Sequence, residues 1–124
     1  MIEWKISDAE RLVTVVVTGR VTEPAFEAYL AAVRDAGAAP YRKLFGIFDP
    51  FAFTPSEIPR LAALTVKYIA GGPVGPLAVV VDAEATSALA DWFRSLATLE
   101  RPVQIFRSNH AARAWLDEIA PVSG

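Results

Sequence analysis

The chain has 124 residues, 53% of them hydrophobic, with 12 basic and 14 acidic side chains for a formal net charge of −2 and no cysteine. That is the size of one domain with enough apolar material for its own core, and it excludes disulfides, thiolate metal sites and cysteine nucleophiles. The charges are interspersed without a basic run, which argues against nucleic acid as a partner.

The opening Met1-Ile2-Glu3-Trp4-Lys5 has neither a basic nor an apolar leader, and the longest apolar runs, such as Leu77 to Val81, are strand-length. The expectation is a cytoplasmic domain over residues 1–120 with a short tail at 121–124 and no membrane span.

Ile2, Trp4 and Ile6 alternate with Glu3 and Lys5, the period of a half-buried strand. After the polar turn at 7–10, Leu12 to Thr18 is β-branched and nearly continuous, so it reads as a strand covered on both faces. The short link predicts an antiparallel hairpin. Thr22 is a good cap for a first helix with Glu23 and Pro24 in its first turn; Phe26, Tyr29, Leu30 and Val33 make one stripe. Gly37 and Pro40 end it, and Lys43 to Phe48 form a third strand closed by Asp49-Pro50.

The second helix has two competing starts. Thr54-Pro55-Ser56-Glu57 fits a capping box, but that start leaves Pro59 where its missing N–H costs a helical bond. A start capped by Ser56 puts Pro59 where the donor is unpaired anyway, and this start is preferred. Ile58, Leu61, Leu64, Thr65, Tyr68 and Ile69 then form the inward stripe. Gly71 to Pro76 is a loop by composition, lacking the Gly-Lys-Ser/Thr of a phosphate cradle. Leu77 to Val81 is a fourth strand. Asp82 caps a third helix with the stripe Ala85, Leu89, Trp92, Phe93 and Leu96, which Arg101-Pro102 ends. Val103 to Phe106 is a fifth strand, and Ser108 caps a fourth helix with Ala111, Ala112, Trp115, Leu116 and Ile119 inward.

The order ββαβαβαβα predicts an α/β domain with a mostly parallel sheet, one antiparallel edge strand and four helices. Pro76-Leu77-Ala78-Val79-Val80-Val81-Asp82, the closing segment from Val103 to Ala-Arg-Ala-Trp-Leu at 112–116, and the loop after the third strand together resemble the SpoIIAA-like fold of the STAS (anti-sigma-factor antagonist) superfamily, with Sec14-like kinship. The resemblance implies a regulatory, protein-binding module whose phosphorylatable serine opens the second helix. This chain has Phe53-Thr54-Pro55-Ser56-Glu57-Ile58 there, with Ser56 the nearest match and Thr54 the second.

Ser56 and Thr54 are thus candidate phosphoacceptors, against a simple capping role worth about 0.5–2 kcal/mol. Phe51 and Phe53, in a loop bounded by Pro50 and Pro55, suit a partner anchor, or fold back into the core. Asp49 and Asp82 follow strands at the edge where open α/β sheets bind ligands, though Asp is also favoured in turns and caps. The lone histidine, His110, has no second histidine or cysteine to build a metal site. The sequence carries no nucleophile–base pair, metal set or cofactor motif. A non-enzymatic module with a protein partner, a second copy of the chain among the candidates, is the first reading. The alternative is a carrier of a small apolar, lipid-like ligand in a pocket lined by Phe48, Leu61, Leu64 and Tyr68.

Overall fold

A computed structural model of the chain describes residues 1–47, 56–69, 75–81 and 103–119. The elements in chain order are β1 (Ile2–Ser7), β2 (Leu12–Val17), α1 (Glu23–Asp35), β3 (Arg42–Ile47), α2 (Ile58–Ile69), β4 (Leu77–Val81), β5 (Val103–Phe106) and α3 (Asn109–Glu118). The five strands form one sheet in the order β1-β2-β3-β4-β5, with β1 antiparallel to β2 and the other pairs parallel. The helix expected after Asp82 and the tail at 121–124 lie outside the described residues.

The alternation of side chains along a strand divides the core in two. Val13, Val15 and Val17 of β2, Phe45 and Ile47 of β3, and Leu77, Val79 and Val81 of β4 point to one face. There they meet Phe26, Tyr29, Leu30 and Val33 of α1 and Leu61 of α2. Tyr29 anchors this layer by edge-on contacts with Trp4 at 5.7 Å and Phe45 at 5.5 Å between ring centroids. The opposite set, Leu12, Leu44, Ala78 and Val80, packs under Ala112 and Leu116 of α3, with Phe106 and Trp115 beside them. The near-continuous apolar run of β4 follows from this double coverage, whereas β2, expected to be covered on both faces, is fully covered on one, with Thr14 half-buried and Val16 exposed on the other.

The helix starts are local. Thr22 Oγ1 accepts from the Ala25 amide at 3.3 Å, and Ser108 Oγ accepts from the Ala111 amide at 3.1 Å. Three details depart from the sequence reading. The third strand begins at Arg42, because the β2 register extends the pairing to Leu12 opposite Arg42. The second helix begins at Ile58, since the Leu61 amide donates to the Glu57 carbonyl; Glu57 therefore holds the cap position and Ser56 precedes it. Ala111 is exposed, because the face that α3 lays on the sheet centres on Ala112 and Leu116.

The edge of the sheet where β2, β3 and β4 begin is stitched together by polar groups. The Arg42 amide donates to the Arg11 carbonyl, the Lys43 amide to Pro76 and the Gly75 amide to Ala39. Lys43, a lysine only 2% exposed, donates through Nζ to the carbonyls of Ala39 at 2.6 Å, Tyr41 at 2.8 Å and Ala38 at 3.3 Å. A buried ammonium needs such acceptors, and the carbonyls of the 38–41 turn supply them, those of Ala38 and Ala39 while also accepting backbone amides.

Candidate functional site

The opposite edge of the sheet, at the carboxyl ends of β2, β3 and β4, is where the sequence singles out residues. In open α/β sheets this edge is open to ligands and partners because the loops leaving the strands, and the helix starts that follow, gather there. β2 leaves the sheet through Thr18-Gly19-Arg20-Val21. Gly19 has a φ of 63°, a left-handed conformation that glycine adopts without strain, and Val21 is fully buried. The turn pins Arg20 outward, just ahead of α1.

Arg20 Nη2 donates to Glu57 Oε1 at 2.5 Å. This contact links the β2–α1 turn to the start of α2 across 37 positions of sequence. A second cross-link joins the helices α1 and α2 themselves: Arg60 Nη1 lies 3.7 Å from Glu23 Oε2. Glu23 sits in the first turn of α1, where the helix dipole favours an acidic group. The two pairs use opposite polarity, a base on the α1 side with an acid on α2 and the reverse, so they fix the relative position of the two helix starts. Arg20 is half exposed and Arg60 largely exposed, so each pair alone contributes little to stability; their effect is orientation.

Ser56 is exposed and stands immediately before this cross-linked start. Asp49, Phe51, Phe53 and Thr54, and Asp82 after β4, lie outside the described residues. So does Phe48 of the lipid-pocket set. Of the remaining three, Leu61 is fully buried in the core layer between α1, α2 and the sheet, and Leu64 and Tyr68 are half-buried against it. The guanidinium of Arg34 sits 4.8 Å above the centre of the Tyr68 ring, joining α1 to α2 a second time further along.

Arg20, Glu23 and Arg60 were not legible as site residues. Each is a common surface residue, and only the fold brings Arg20 to Glu57 and Glu23 to Arg60. Among the described residues no three His, Asp or Glu side chains come together as a metal site requires, and no helix is long and apolar enough to cross a membrane. No protein-family model matches the chain, and no curated protein or solved structure matches it either.

Proposed function

We propose that the chain is a STAS-like regulatory module without catalysis of its own, read by a protein partner at the start of α2 and the segment 49–57 that leads into it. The observation that carries the reading is the position of Ser56: exposed, at the carboxyl edge of the parallel strands, directly before a helix start held by Arg20–Glu57 and Arg60–Glu23. A phosphoryl group on Ser56 brings a charge of about −2 beside Glu57 and within the field of both guanidiniums. It competes with the carboxylates for Arg20 and Arg60, since arginine binds phosphate oxygens through paired N–H donors. The cross-links between α1 and α2 then exchange for new ones to the phosphate, and the surface offered to a partner changes with them.

Intact-mass spectrometry of the protein isolated from its own cells tests this. The expected result is a phosphoryl adduct that disappears in Ser56→Ala and persists in Thr54→Ala, with a partner whose recovery differs between wild type and Ser56→Glu. No adduct under any growth condition, together with identical partner recovery for Ser56→Glu and wild type, would refute the proposal.

A further inference from the structure

β1 is the terminal strand of the sheet, and among the described residues no strand pairs with its outer side. Met1 and Thr18 exchange backbone hydrogen bonds, the Thr18 amide donating to the Met1 carbonyl at 2.9 Å and the terminal ammonium of Met1 to the Thr18 carbonyl. In an antiparallel ladder such pairs alternate, so Glu3, Lys5 and Ser7 also direct their N–H and C=O groups toward β2. Ile2, Trp4 and Ile6 direct theirs outward. An edge of this kind is a template for another strand.

The side chains specify which strand. Ile2, Trp4 and Ile6 point to the α1 side of the sheet, whereas Glu3 and Lys5 point to the other side together with Thr14 and Val16. Trp4 remains 36% exposed and Val16 41% exposed, and an open hollow lined by Glu3, Trp4, Lys5, Thr14 and Val16 runs along this margin. We propose that β1 pairs antiparallel with β1 of a second copy of the chain about a two-fold axis through Trp4, extending the sheet across both molecules.

In that register Trp4 faces the partner's Trp4, and Ile2 faces the partner's Ile6, all in hydrogen-bonded pairs. Glu3 falls opposite the partner's Lys5, and Lys5 opposite the partner's Glu3. These are non-hydrogen-bonded pairs, whose Cα atoms approach to about 4.5 Å. Two-fold symmetry makes both ion pairs from one patch, the self-complementarity that a closed dimer requires. The neighbouring registers that keep the same backbone pairing are disfavoured. Sliding by two residues one way sets Glu3 against the partner's Glu3, and the other way sets Lys5 against the partner's Lys5. Like charges directly opposite destabilise a strand pair. The alternation Glu-Trp-Lys, ordinary for an exposed edge taken alone, therefore selects one partner and one register.

Charge reversal tests the pairing. Sedimentation velocity should show a concentration-dependent dimer for the wild-type chain. Glu3→Lys alone and Lys5→Glu alone should each weaken self-association by about tenfold or more, since each replaces both attractive pairs by repulsive ones. An equimolar mixture of the two variants should re-associate, because every ion pair is restored between unlike chains, and the double variant Glu3→Lys/Lys5→Glu should dimerise like wild type. Two variants that fail to pair with themselves and pair with each other are necessarily folded. A wild-type chain that stays monomeric up to about 1 mM overturns the proposal. So do single reversals that self-associate as strongly as wild type, or a mixture that associates no better than its components.

Discussion

Arg42 donates through Nη1 to the carbonyl of Leu116 at 2.9 Å, and through Nη2 to the carbonyl of Glu10 at 2.6 Å. One guanidinium at the start of β3 thereby holds the last turn of α3 and the β1–β2 turn at once. The Leu116 carbonyl, in the last turn of α3, also accepts from the Ile119 amide at 3.2 Å, and the cation there meets the negative end of the α3 dipole.

Replacing Arg42 by Met keeps most of the buried stem and removes both donors. Urea unfolding should report a loss of about 2 kcal/mol with an unchanged denaturant slope. Arg42→Lys should recover only part of that loss, because an ammonium on a single stem does not span two carbonyls in the fork geometry of a guanidinium. A loss within error of zero for Arg42→Met would show that α3 is held by its apolar contacts, Ala112, Trp115 and Leu116, without help from the guanidinium.

Gly75 sits where the neighbouring backbone leaves no room for a side chain. A Cβ at this position would lie 2.0 Å from the Tyr41 carbonyl oxygen and 2.6 Å from that of Pro40, both backbone atoms that cannot swing aside. Gly75→Ala should therefore displace the 38–41 turn, break the Gly75 to Ala39 hydrogen bond and lower stability by about 3 kcal/mol. The same displacement strips Lys43 of its carbonyl acceptors. Lys43, protected from amine-acylating reagents in the wild-type fold, should become labelled in the variant, as read by peptide mass spectrometry, while exposed Lys5 and Lys67 react in both.

The Tyr41 hydroxyl donates to Asp8 Oδ1 at 2.6 Å. Its pKa is raised above the usual 10.0, first by this hydrogen bond, then by burial and the Asp8 charge, with Arg11 opposing. Folding favours the neutral phenol, so the stability it contributes is fully present below about pH 10 and is lost as pH rises through the raised folded-state value. A difference titration of phenolate absorbance between wild type and Tyr41→Phe should place Tyr41 above 10.0, and Asp8→Ala should bring it down. The stability gap between wild type and Asp8→Ala should be open at neutral pH and close in alkali; a gap independent of pH would separate the hydrogen bond from the titration.

The parts of this fold that were legible in the sequence are those fixed by neighbours in the chain. The spacing of Phe26, Tyr29, Leu30 and Val33 gives α1 and its buried face, and Thr22 and Ser108 mark helix starts with their own side chains. The run from Leu77 to Val81 gives β4 to the residue. What was not legible depends on partners distant in sequence. The local signals weigh Thr54 against Ser56 as the cap of α2 and favour Ser56, whereas the structure has Glu57 there, a residue whose side chain pairs with Arg20, 37 residues away. Lys43 has the composition of an exposed strand end, and only the turn at 38–41 supplies the carbonyls that let it be buried. At the candidate site the sequence put Ser56 at the helix start as its cap, a position the structure gives to Glu57, and the two ion pairs beside it required the fold.

The order of strands across the sheet repeats the order of strands along the chain. Each strand therefore lies beside its predecessor, and among the described residues none is inserted between two earlier ones. Every crossover adds one strand at the same margin, which keeps the sequence separation of contacts low for a parallel sheet, a topology that favours fast folding. α3 lies over Leu12, Leu44, Ala78 and Val80, residues of three successive strands. Its seat exists only where β2, β3 and β4 are paired in register, so one helix reads the alignment of all three.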